Sequence, residues 1–169
     1  TTDGLYIWGV QQEDLSFATS YIPTEGSTVT RSAELANNSG NADLFNDSEG
    51  VLYAEMAALE DVTASKDISI INDSNNYVII RAYTRFLNVI VRAEGSTQFF
   101  QDIEMNEITS MNKFAVKYKQ NDFALWVNGV ERLTGTSGNT PTGLNRLAFD
   151  SGGNRFYGKV KALAVFKEA

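Results

Sequence analysis

Apolar and polar residues alternate with a period of two along much of the chain. Val78-Ile79-Ile80-Arg81-Ala82-Tyr83, Leu87-Asn88-Val89-Ile90-Val91-Arg92, Phe114-Ala115-Val116-Lys117-Tyr118-Lys119 and Phe123-Ala124-Leu125-Trp126-Val127 are rich in β-branched and aromatic residues and are separated by turn formers. Each predicts a strand. Gln120-Asn121-Asp122 divides the last two, and Asn128-Gly129 follows them. That dipeptide tolerates the two positive φ values of a type I′ hairpin, so a meander is expected. Further short strands are predicted at 4–12, 51–59, 67–71, 97–104, 144–149 and 156–166, bounded by clusters such as Asn37-Asn38-Ser39-Gly40-Asn41 and Asp150-Ser151-Gly152-Gly153-Asn154. No amphipathic helix of useful length is found. About ten strands without crossover helices predict an all-β fold, an antiparallel β-sandwich of the jelly-roll kind.

Alternation also assigns faces. If Val78, Ile80 and Ala82 point into the core, then Ile79, Arg81 and Tyr83 point out. By the same logic Leu87, Val89 and Val91 point in and Asn88, Ile90 and Arg92 point out. Phe114, Val116 and Tyr118 point in and Lys117 out; Phe123, Leu125 and Val127 point in and Trp126 out. Phe99, Phe100, Phe149 and Phe156 are expected in the core. If the four strands share one sheet, its outer face carries Trp126, Tyr83, Arg81, Arg92, Lys117 and Asn88 together. A flat indole beside fixed hydrogen-bond donors suits the apolar face and hydroxyl rim of a sugar. Three cations in one groove would further favour an acidic polysaccharide, because the local field governs the encounter. The competing reading covers Trp126 with another sheet, loop or subunit and pairs the arginines with carboxylates such as Glu55.

Composition narrows the chemistry. The 169 residues include no His and no Cys, which removes His-dependent triads, Cys nucleophiles, disulfides and His/Cys zinc sites. Lys and Arg number 14 against 21 Asp and Glu, a formal charge of −7, so nucleic acid is not an expected partner. No apolar run approaches the roughly 20 residues that span a bilayer, so membrane insertion is not expected either. With 43% apolar residues the chain can bury a substantial single core.

Tyr6-Ile7-Trp8-Gly9-Val10-Gln11-Gln12-Glu13, with Ser16-Phe17-Ala18-Thr19-Ser20-Tyr21-Ile22-Pro23-Thr24-Glu25-Gly26-Ser27-Thr28-Val29-Thr30-Arg31, resembles a linker of tail-fibre and related surface proteins of phages and bacteria. The run from Lys117 to Val130, followed by Gly158-Lys159-Val160-Lys161-Ala162-Leu163-Ala164-Val165-Phe166, resembles the concanavalin A-like lectin/glucanase superfamily in its laminin-G-like form. The resemblance implies two curved antiparallel sheets and, in many members, glycan recognition on the concave face or loop rim. It divides the chain into a strand or linker at 1–22, left from a preceding module, and a sandwich at 23–169. It also implies an extracellular, secreted or virion-associated setting.

Hydrolases of this superfamily place carboxylates on one strand in a Glu-x-Asp-x-(x)-Glu pattern, a retaining pair lying about 5 Å apart. The nearest run here is Asp102-Ile103-Glu104-Met105-Asn106-Glu107, which begins with Asp and lacks the Trp-rich surroundings of those enzymes. A solvated strand edge accounts for it better. Asn41, Asp43, Asn46, Asp47 and Glu49 form an oxygen-rich cluster, a candidate structural calcium site without EF-hand spacing; turn formation is the competing account. The expectation is therefore a non-catalytic carbohydrate-binding module that recognises a polysaccharide or cell-surface glycan. A structural domain of a fibre, packed against neighbouring modules or a homo-oligomer, is the first rival. A glycoside hydrolase or polysaccharide lyase is the second.

Overall fold

The computed structural model describes residues 4–12, 21–30, 39–59 and 64–169. Among the described residues, ten strands follow a 3-10 turn at Ala42–Leu44: β1 Glu49–Ala58, β2 Lys66–Asp73, β3 Asn76–Tyr83, β4 Phe86–Ala93, β5 Ser96–Glu104, β6 Asn112–Lys119, β7 Phe123–Val127, β8 Val130–Gly135, β9 Arg146–Ala148 and β10 Gly158–Phe166. They form two five-stranded sheets, the first ordered β10-β1-β6-β7-β8 and the second β5-β4-β3-β2-β9. Every pairing between these strands is antiparallel. The predicted all-β sandwich is what the chain forms.

Tight turns fix the register of the meanders. Val127 pairs with Val130 across Asn128-Gly129, whose φ angles of 53° and 83° are both positive, as a type I′ turn needs. Glu94-Gly95 does the same between β4 and β5, with φ of 49° and 77°. Residues 4–12, predicted as a strand, carry no strand.

All twelve residues assigned inward on β3, β4, β6 and β7 are buried. Eleven belong to the main core between the sheets, together with Leu52, Ile68, Ile70 and Leu144, while Ala82 joins a small cluster with Ala58 and Ile108. Phe99 is buried there, and Phe149 and Phe156 pack against its margin. Phe100 is not core: it is 52% exposed. Adjacent strand residues point to opposite faces, so Phe99 and Phe100 cannot both face inward. Gly50 lets β1 approach β6 closely, since a Cβ there would fall 2.6 Å from Tyr118 Oη and 2.7 Å from the Phe166 carbonyl oxygen.

Two compact units divide the chain, residues 1–34 and 35–169. In the first unit the Trp8 and Tyr21 rings lie 5.4 Å apart and the Ile22 amide donates to Gln11 Oε1 at 2.7 Å. Residues 13–20 and 31–38, which include much of the linker-like run, lie outside the described residues. Among the described residues no helix is long and apolar enough to cross a membrane.

Candidate functional site

The six residues predicted to share one outer face do not share it. β3 and β4 belong to the second sheet, whereas β6 and β7 belong to the first. Arg81, Tyr83, Asn88 and Arg92 therefore lie on one side of the sandwich, and Lys117 and Trp126 on the other. Period-two alternation says which side of its own sheet a residue faces, but not which sheet its strand joins.

On the outer face of the second sheet the register stacks Asp67, Arg81, Asn88 and Asp102 in one row across β2, β3, β4 and β5. Arg81 donates to Asp67 through two nitrogens, Nε to Oδ1 at 2.7 Å and Nη2 to Oδ2 at 2.8 Å. Asp67 is fully buried, and its carboxylate also accepts from Ser151 Oγ and from Asn154 Nδ2 at 3.4 Å. The hydrogen bonds to Asp67 hold the Arg81 guanidinium pKa above its ordinary value, against the opposing effect of burial. Asn88, itself buried, donates from Nδ2 to Asp102 Oδ1 at 2.6 Å. One row over stand Ser69, Ile79, Ile90 and Phe100, and beyond it Ile71, Tyr77, Arg92 and Thr97. Tyr83, 40% exposed, closes the far end of β3.

Arg92 differs from Arg81. Its Nη2 donates to the Gly95 carbonyl oxygen at 2.7 Å, its Nε is buried without a hydrogen-bond partner, and among the described residues no carboxylate pairs with it. The expected groove of three cations is overturned: Arg81 is neutralised by Asp67, and Lys117 lies on the opposite sheet. Glu55 does not pair with either arginine. It accepts from Lys161 Nζ at 2.9 Å.

Loop 149–157 borders this face. Asn154 O accepts from the Asp67 amide at 3.2 Å and Asp150 O accepts from Ser69 Oγ at 2.5 Å, so the loop is pinned to β2 by backbone as well as side-chain bonds. Asp67, Asp102 and Phe100 were missed as members of the face. Alternation alone could have placed Phe100, because Phe99 takes the inward position; Asp67 and Asp102 needed the strand register as well.

On the outer face of the first sheet, Lys117 pairs with Asp122 at 2.5 Å and holds its Nζ 5.9 Å from the centre of the half-buried Trp126 ring. Of the carboxylates weighed for catalysis, Asp102 and Glu104 lie on β5, an edge strand, and Glu107 in the loop beyond it. Asp102 accepts from Asn88, Glu104 pairs with Arg85 at 3.0 Å, and Glu107 accepts from Ser110 Oγ at 2.6 Å.

The oxygen-rich cluster ties loops together. Asn41 Oδ1 caps the 3-10 turn by accepting from the Asp43 amide at 3.1 Å. Asp47 accepts from the amides of Gly143 and Leu144 at 2.6 and 3.0 Å, and Glu49 pairs with Lys119 at 2.8 Å. Asn46 Nδ2 donates to the Lys167 carbonyl oxygen at 2.8 Å, while the Asn46 carbonyl oxygen accepts from Tyr118 Oη at 2.8 Å. Among the described residues no three acidic side chains gather as a metal would need.

No protein-family model and no curated protein sequence matches the chain. Several solved structures resemble it. The CBM40 domain of a Ruminococcus gnavus IT-sialidase, bound to α2,3-sialyllactose, superposes with a TM-score of 0.60 at 14% identity, covering 79% of this chain and 88% of that one. The NanB sialidase of Streptococcus pneumoniae gives 0.55 at 15% identity over 76% of this chain, which spans only 23% of the sialidase. A Bacillus licheniformis β-glucanase gives 0.52 at 13% identity, covering 72% of this chain and 67% of the enzyme. At such identities the likeness is one of fold: the chain has the concanavalin A-like jelly-roll fold, two antiparallel sheets of five strands each.

Proposed function

We propose that the chain is a non-catalytic carbohydrate-binding module whose glycan lies across β3, β4 and β5 on the outer face of the second sheet. The observation that carries this reading is the accessible part of the polar row, Arg81 and Asp102, held in place by the buried Asp67 and Asn88 and set between exposed aromatic groups at Phe100 and Tyr83. Hydroxyls need donors and acceptors already fixed in place, and the cross-strand bonds fix them; a sugar's apolar face needs a ring, and Phe100 offers one. The sialyllactose-bound neighbour supports a glycan ligand in general. Arg92 and Arg146, cations of one outward row with no carboxylate partner among the described residues, are what would favour an acidic glycan. An extracellular setting, as a module of a bacterial surface or virion fibre, rests on the resemblance of residues 6–31 alone.

Affinity electrophoresis tests the proposal, using gels that contain dextran, laminarin, hyaluronan or polysialic acid, each with and without calcium. Wild type is expected to be retarded by at least one of them and Phe100→Ala to run unretarded, with Arg92→Gln reducing retardation selectively in the acidic gels. The calcium arms decide whether the Asn41 to Glu49 cluster contributes a metal. Release of reducing ends or unsaturated sugars from any of the four would restore the enzyme reading. Retardation of wild type by none of them would overturn the proposal.

A further inference from the structure

The residues separated from the proposed site form a surface of their own. On the first sheet Leu52 and Ala54, Phe114 and Val116, and Leu125 and Val127 are core residues, so Tyr53, Ala115 and Trp126 between them face outward. The register places these three side by side across β1, β6 and β7: Tyr53 pairs with Ala115, and Ala115 with Trp126. Ala164 of β10 continues the row beyond Tyr53. Two aromatic side chains therefore stand two strand spacings apart, about 10 Å, with an alanine floor between them. Glu131 of β8 continues the row beyond Trp126, and the charges beside it are Lys113 and three pairs within the chain, Lys117 with Asp122, Lys119 with Glu49 and Lys161 with Glu55.

We infer that this face is a second glycan platform, taking an extended, neutral, β-linked hexopyranose chain. Two rings spaced across a small-residue floor fit sugar units that present their apolar faces in succession along a flat chain. The paired charges at the margin can meet hydroxyls without losing their partners, and they give no net attraction to an acidic ligand. A second copy of this chain fits less well, because it would have to strip water from three ion pairs and would bring together two bodies each of charge −7. The inference goes beyond the proposed site and does not need it. If both hold, one chain presents glycan sites on opposite sides of the sandwich and can bridge two polysaccharide strands as a monomer.

The chain holds two tryptophans, Trp8 and Trp126, so Trp8→Phe leaves Trp126 as the sole indole reporter. In that background, titration with cellohexaose is expected to shift Trp126 emission to the blue and to saturate. Tyr53→Ala should weaken the binding about tenfold, the loss of one stacked ring. Phe100→Ala, on the other sheet, should leave the titration unchanged. In hydroxyethylcellulose gels, wild type should be retarded, Trp126→Ala not, and Trp126→Phe partly. No emission change with cellohexaose, or retardation that survives Trp126→Ala, would overturn the platform. Neither result bears on Phe100-dependent retardation by the other glycans, so the two sites stand or fall separately.

Discussion

On the outer face of the second sheet, side chains are bound to one another across strands: Asp67 to Arg81, Asn88 to Asp102, and loop 149–157 down onto Asp67 and Ser69. On the outer face of the first sheet, aromatic and alanine side chains stand along the row without hydrogen bonds to one another, Lys117 lies near the Trp126 ring, and the ion pairs lie at the margins. Strands of the same alternating kind build both. What differs is the chemistry of the outward positions, and it makes one face a fixed set of donors and acceptors and the other a flat apolar trough. Net charge, which is spread over both, describes neither.

The largest effect should come from the core that both faces rest on. Leu125→Ala should cost about 2–5 kcal/mol in urea unfolding, whereas Trp126→Ala, its outward neighbour on β7, should cost about 1 kcal/mol or less. Reversal of that order would invert the faces of the first sheet. Next comes the difference between the two sets of ion pairs. Asp67→Ala strips a fully buried carboxylate from Arg81, Ser151 and Asn154 and should cost about 3 kcal/mol. Glu55→Ala frees Lys161, whose side chain is 68% exposed and readily hydrated, and should cost below about 1 kcal/mol. Equal losses would end the distinction between a knitted face and a loosely paired one.

Smaller effects follow from protonation. Burial, with Asp47 adding to it, raises the Tyr118 phenol well above its usual value of 10. The folded state then holds a proton that the unfolded state releases, so stability is level below about pH 10 and falls above it by about 1.4 kcal/mol per unit until the folded phenol ionises. Tyr118→Phe should remove its share of that alkaline slope, at the loss of about 1 kcal/mol for the hydrogen bond to the Asn46 carbonyl. Smallest of all is Glu49, whose carboxyl the Lys119 hydrogen bond lowers. A lowered carboxyl stabilises above the unfolded pKa of 4.5 and stops doing so as pH falls through its folded value. The difference in stability between wild type and Glu49→Gln should accordingly shrink between pH 6 and pH 3.

Much of this was legible in the chain itself. The inward residues of β3, β4, β6 and β7 follow from alternation, and the β7–β8 hairpin from Asn128-Gly129. The partition into sheets was not legible, because β6 pairs with β1 some sixty residues earlier and nothing local in Lys117 or Trp126 encodes that partner. Hence four of the six predicted site residues stay together and two cross to the other side. Phe100 could have been placed correctly, since Phe99 had already taken the inward position. The burial of Asp67 depends on Ser151 and Asn154, which lie more than eighty residues away, and no pattern around Asp67 announces it.

The central claim is that a glycan is held on the outer face of the second sheet, and hydrogen-exchange mass spectrometry with the polysaccharide that most retards wild type tests it most directly. Protection of β3, β4 and β5 amides, absent in Phe100→Ala, is the predicted result. Retardation accompanied by protection confined to strands of the first sheet, or by no protection of β3 to β5, would contradict it.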